Sequence, residues 1–316
     1  MFDLFGDVAD YFSPKKVKEN VDQAVSSASS FFEDVGNGFE DEGFAGLMDP
    51  VGMVDRQDAK RDLAQYFGIV DEDLEGYRNH NQVTQEQFDE IAEEYSDIRL
   101  GRGDLTINTE RVKDPKMAAE YREARMHDIA MLMRTTSGRE QIEFLNNAPD
   151  DIKTTIRPMM KDKEGTAFAP EAGCEQWDTD DLRINLSNVE DVEGTPDAEG
   201  ISYIMLAHEM QHAHDRIMGA QAEGTYGVAG DDDVFVENDE RQATGLTHSD
   251  PTHPADPKAA TENRIRWELY QLGEDWLPRT RYDVSMGDYE GTEKNDRKRN
   301  RAWREFLTSS EHPGFE

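Results

Sequence analysis

The spacing of hydrophobic and polar positions changes several times along this chain, and each change predicts an element. From Asp58 to Met133 apolar residues recur every three or four positions, as in AKRDLAQYFGI, VTQEQFDEIAEEYSDI and DPKMAAEYREARMHDIAMLM, which predicts a run of helices. Thr84 and Gln87 stand at the head of the second of these with the spacing of a capping box. TTSGREQIEFLNN predicts a further helix, with Thr136 or Ser137 as its N-cap. The period then shortens to two. IKTTIRPM and DLRINLSNV read as strands, the second with Leu182, Ile184 and Leu186 on one face. After an acidic loop rich in Gly and Pro, ISYIMLAHEMQHAHDRIMG returns to helical spacing and stops at Gly219. EKNDRKRNRAWREFL predicts a terminal helix.

These elements imply an α+β fold. A small sheet including the Leu182–Leu186 strand would pack on the helix of His208 and on a second, acidic helix after Phe235, with the helices of residues 58–133 wrapped around them. Four stretches follow: an amphipathic docking or packaging segment at 1–55, a helical region at 56–133, a region carrying the chemistry at 134–285, and a charged tail at 286–316. The first stands apart because its Phe pairs and Ser-rich pieces are broken by Gly and Pro in GFAGLMDPVGMVD. No internal repeat is visible.

Composition narrows the partners. Asp and Glu number 69 against 34 Lys and Arg, a net charge of −35. Such a field repels phosphate backbones and anionic bilayers, so nucleic acid and lipid surfaces are excluded as partners. It fits a surface adapted to high salt, with a dedicated basic partner as the alternative. Cys174 is the single cysteine, which rules out an internal disulfide and a thiolate metal cluster. No apolar run reaches the length of a membrane span, and no signal peptide is read at the start. The expectation is synthesis in the cytoplasm, then delivery by an injection machine or association with a virion, with residues 1–55 serving delivery or particle assembly.

The candidate chemistry lies in MLAHEMQHAHDRIMG. His208 and His212 are four apart, so one helix face can present both imidazoles to one ion. Glu209 borders that face and can take a proton from a water. Two histidines need a third ligand, and FVENDERQATGL supplies Glu237, Asp239 and Glu240. Spacing alone leaves the three open. A His₂-carboxylate set would suit zinc and keep one coordination position free.

From these residues a resemblance follows. The chain resembles the NleD-type effector and toxin zinc metallopeptidases and, more distantly, the clostridial neurotoxin light chains. It shares His-Glu-x-x-His followed by six residues and Gly, here His208 to Gly219. DERQATG, Asp239 to Gly245, is similar to the family's Glu-Glu-x-x-Thr-x-Gly, with Asp in place of the first Glu and Ala243 in place of Thr. The resemblance implies that Glu240 is the third zinc ligand and that Asp239 steadies a ligand histidine. TENRIRWELYQLGEDWLPRTRY resembles the segment carrying an Arg-x-x-Tyr pair, which implies that Arg279 and Tyr282 stabilise the oxyanion, with Arg281 as a competitor and Glu262 bracing one arginine. It implies a zincin-like metallopeptidase core over residues 134–285, Zn²⁺ as cofactor, a protein substrate, and an endopeptidase acting as a delivered or particle-associated protein. The rival is a structural component of a virus particle or injection device that keeps the zincin fold without turnover. Such a component would have no use for Glu209.

Overall fold

The protein is described from a computed structural model covering residues 50–67, 83–149, 152–161, 173–178, 181–186, 201–227, 235–256, 258–280, 295–309 and 312. The chain divides into two units, Met1–Val54 and Asp55–Glu316. The expected docking segment therefore lies almost wholly outside the described residues.

Local rules account for most of the helices. Helix α1 spans Pro50–Tyr66 and α2 spans Gln85–Leu100. The capping box at the head of α2 is complete, because Thr84 accepts from the backbone of Gln87 while the Gln87 side chain accepts from the backbone of Thr84. Helix α3, Pro115–Met133, starts from an Asp114 cap with Pro at its first position. In α4, Thr136–Asn146, the cap is Thr135 rather than Thr136 or Ser137. Thr135 has the extended backbone a cap requires, and its hydroxyl reaches the Gly138 N–H at 3.0 Å.

A four-stranded sheet has the order β1-β2-β4-β3, from β1 Leu105–Ile107, β2 Lys153–Pro158, β3 Gly173–Asp178 and β4 Asp181–Leu186. β1, β2 and β4 run parallel, and β3 is antiparallel at the edge. The register sets Thr154 beside Leu182 and Ile156 beside Ile184, and all four are fully buried. Burying a Leu or Ile side chain contributes roughly 1.5–3 kcal/mol each, so this row is a main source of sheet stability. Tyr121 of α3 donates to the Leu186 carbonyl at 3.0 Å and ties the helix layer to the end of β4.

Helix α5, Ile201–Met218, runs through the core and packs on α3, α4, β3 and β4. Tyr203, Ile204, Leu206, Ala207, Met210 and Ala213 are all buried, so the helix is covered on most sides. A two-stranded ribbon of β5, Thr225–Gly227, and β6, Phe235–Glu237, leads into α6, Asn238–Thr244. The sequence places α6 against the sheet; in the structure it packs on α5, β6 and α7, Glu262–Gln271. Seven residues continuing directly from β6 hold α6 beside α5. The last helix, α8, spans Asp296–Leu307 and buries Trp303 and Phe306 beside Leu246. One apolar core runs from Ala59 to Trp276, so the regions expected at 56–133 and 134–285 share it. The arrangement is a mixed helical and small-sheet, α+β, fold.

Candidate metal centre and peptidase site

Three side chains from two elements converge at the middle of α5. His208 and His212 are 7% and 2% exposed, and their Nε2 atoms lie 3.1 Å apart. From α6, Glu240 Oε2 lies 3.0 Å from His208 Nε2 and 3.5 Å from His212 Nε2. Bonds of 2.0–2.1 Å to one tetrahedral ion would separate ligand atoms by about 3.3–3.4 Å, and the three observed edges bracket that value. The group can hold a metal.

Electrostatics favours a cation at this point. Burial works to lower the pKa of His208, but hydrogen bonding to Glu240 and Glu262 and the charges of Glu262 and Glu209 outweigh it and raise the ring to about 10. His212 is raised by the same contest, with Glu240 as its main partner. Burial opposes the charge of Glu240, yet the two imidazoles hold its carboxyl far below the usual range. Without a metal, protons sit where a cation would otherwise balance the carboxylates. Glu209 is 9% exposed and lies near enough for its charge to act on both rings.

Local structure explains the placement of Glu240. Helix α6 ends at Gly245 with φ 82°, and its N–H closes on the carbonyls of Arg241 and Gln242. A Cβ on Gly245 would stand 2.3 Å from Thr261 Oγ1, so only glycine allows α6 to approach the start of α7 this closely. Thr261 in turn caps α7 by accepting from Arg264 N. Glu262, the first residue of α7, is thereby delivered to the opposite side of His208.

Glu262 braces Arg279, as the sequence suggested, and also meets His208, which the sequence did not show. Its Oε2 lies 3.3 Å from His208 Nδ1 and accepts from Arg279 Nη1 at 2.9 Å, while Oε1 accepts from Arg266 Nε at 2.9 Å. Burial works to raise its pKa, but Arg279, Arg266 and His208 hold the carboxyl well below the usual range. In a neutral His208, a proton on Nδ1 facing Glu262 leaves the Nε2 lone pair pointing at the centre. Asp239 does not reach a histidine. Its Oδ2 accepts from Gln221 at 2.8 Å and its Oδ1 from the Glu240 N–H at 3.0 Å. Being adjacent to Glu240 on a helix, it points to another side, and the contact expected of it is made by Glu262. An acid opening a helix four residues before an arginine, Arg266, was the available signal.

Glu237 ends β6, stands at the N-cap position of α6 without a side-chain capping hydrogen bond, and is exposed. Arg279 is side-chain buried to 14% exposure, and its backbone is held on both sides by Asn263, which donates to the Arg279 carbonyl at 2.8 Å and accepts from its N–H at 2.7 Å. Arg281 and Tyr282 lie outside the described residues.

The Peptidase_M91 family, described as effector protein, matches residues 109–278, over half of the chain. No curated relative matches the chain, and no solved structure does. The matched span takes in β2, β4, α5, α6 and α7 and stops one residue before Arg279. It therefore contains both histidines, Glu209, Glu240 and Glu262.

Proposed function

The chain belongs to the Peptidase_M91 family of effector proteins, and from that premise we propose that it is a zinc-dependent endopeptidase with a zincin-like core, cleaving a protein substrate. The observation that carries the reading is the convergence of His208 Nε2, His212 Nε2 and Glu240 Oε2 at the edges of one tetrahedron, with the Glu209 carboxylate beside it. Two imidazoles and one carboxylate are a zinc donor set that keeps a fourth position for water or substrate. Zinc held there would acidify a water and polarise the scissile carbonyl.

The remaining roles belong to the chain itself. Glu209 accepts the proton of the attacking water at a carboxylate oxygen and returns it to the departing amine. Glu262 orients His208, the part the resemblance assigned to Asp239, and Arg266 and Arg279 keep it ionised. Arg279 and Tyr282 are proposed to meet the negative charge that develops on the carbonyl oxygen. For Arg279 the support is its place one carboxylate away from His208. Delivery out of the producing cell belongs to the same proposal; the family supports it. No helix among the described residues is long and apolar enough to cross a membrane.

The test is metal analysis with a cleavage assay. The purified protein should carry close to one zinc, and His208→Ala and His212→Ala should lose it. Glu209→Gln should keep the metal and lose cleavage, since an amide cannot take the proton. Parental cleavage by Glu209→Gln would defeat the mechanism, and full zinc in His208→Ala would defeat the site.

A further inference from the structure

Beside the metal centre, a separate concavity of about 510 Å³ opens on another face of α5. Gln211, His214, Asp215 and Met218 line it at helical spacings of three and four, so they form a stripe turned away from the one that carries His208 and His212. The size lies within the range of ligand pockets.

One buried acceptor at this cavity lacks a donor, and a carboxylate beside it has one oxygen to spare. Gln141, 2% exposed, reaches three oxygens with Nε2: the Ala207 carbonyl at 3.1 Å, Gln211 Oε1 at 3.4 Å and the Ala260 carbonyl at 3.4 Å. All three are acceptors, so the amide nitrogen must face them and cannot be exchanged with the oxygen. That leaves Gln141 Oε1 buried with no partner among the described residues. Asp215 is 5% exposed and takes both its donors, Gln211 Nε2 at 2.8 Å and His214 Nδ1 at 3.1 Å, on Oδ1. Its Oδ2 receives no hydrogen bond among the described residues. The walls are apolar: Phe144, whose ring lies 4.3 Å from that of His214, Leu246, Ala259 and, at the mouth, Met218 with 56% exposure. The rim carries Glu140 and Asp256 with Lys258.

A carboxylate whose Oδ2 receives no hydrogen bond among the described residues, next to a buried amide oxygen without a donor, asks for a cationic head with several N–H groups in fixed directions. Apolar walls ask for an aliphatic stem. A guanidinium on three methylenes meets both demands, and the net charge of −35 attracts basic partners over distance. We propose that this cavity is an exosite that takes an arginine side chain of a basic protein partner, with its guanidinium on Asp215 and Gln141 and its stem against Phe144 and Met218. The inference rests on the proposed peptidase only in making that partner the substrate.

The experiment titrates the full chain with the peptide acetyl-Ala-Arg-Ala-amide, the same peptide with citrulline for arginine, and free arginine amide, by calorimetry or NMR. The arginine peptide should bind saturably, and citrulline should weaken it at least about tenfold, the loss expected for a charged hydrogen bond. Asp215→Asn should do the same. Ala259→Phe fills the cavity from its wall without touching Asp215, and should abolish binding even if Asp215→Asn does not fold. His208→Ala should leave binding intact, so a failure of the metal site and a failure of the exosite are distinguishable. Equal binding of the citrulline peptide, full binding by Ala259→Phe, or no binding by the parent would overturn the proposal. Free arginine amide binding as tightly as the peptide would overturn the protein partner in favour of a small molecule.

Discussion

Replacing Glu262 with Gln removes one buried negative charge and preserves the shape. The residue is 2% exposed and its carboxylate serves three groups: Arg266, Arg279 and His208. Arg266, 1% exposed, would keep its contact to the Leu277 carbonyl at 3.2 Å and its position over the Trp276 ring, but not a counter-charge. Breaking a buried pair by removing one partner costs about 3–5 kcal/mol. The surviving contacts of Arg266 and the partial exposure of Arg279 favour the lower end. In a domain of this size each kcal/mol moves the melting midpoint by roughly 2–4 °C, so a fall of about 6–12 °C is expected. Loss of the partner at His208 Nδ1 should also weaken metal binding roughly 10–100-fold. Scanning calorimetry of the metal-free protein gives the first number, and titration against a zinc indicator gives the second. Asp239→Asn is the control, because that carboxylate contacts neither arginine nor histidine. A midpoint within about 1 °C of the parent, with unchanged zinc affinity, would refute the role assigned to Glu262.

Further expectations concern the other carboxylates and one glycine. Glu240→Gln should cost far more zinc affinity than Asp239→Asn in the same indicator titration, and the reverse ranking would move the ligand to Asp239. Gly245→Ala should lower the midpoint by at least about 2 °C, because a left-handed non-glycine residue costs roughly 1–2 kcal/mol before the contact with Thr261 is counted; an unchanged melt would refute the close approach. Burial, aided by Glu143, raises Glu94 from 4.5 to about 7. The folded state therefore holds a proton that the unfolded chain releases, and the associated stability, complete below pH 4.5, is lost as pH rises through 7. Thermal melts from pH 5 to 8 should show a fall that Glu94→Gln flattens, and parallel slopes for the two proteins would refute it.

What could be read from the chain alone is what depends on near neighbours. Periodicity marks α2, α3, α4 and α5 because a helix repeats its exposure every three to four residues. Thr84 and Gln87 announce the start of α2, and Gly219 the end of α5, where it adopts φ 61°. The pairing of His208 with His212 is legible for the same reason, since four residues make about one turn. Strand β1, only three residues long, was missed because a run that short carries no period, and β3, GCEQWD, because it shows no clear alternation. Spacing left Glu237, Asp239 and Glu240 equivalent as third ligands. Packing of α6 across α5 separates them, taking Glu240 to the histidines, Asp239 to Gln221 and Glu237 to the surface. Glu262 is more distant still. It meets His208 because Gly245 lets two helix ends touch, and because a buried carboxylate needs the positive charges of Arg266 and Arg279 around it. Such partners are chosen by closure of the chain in space, under the cost of burying a charge alone, and no local pattern records that cost.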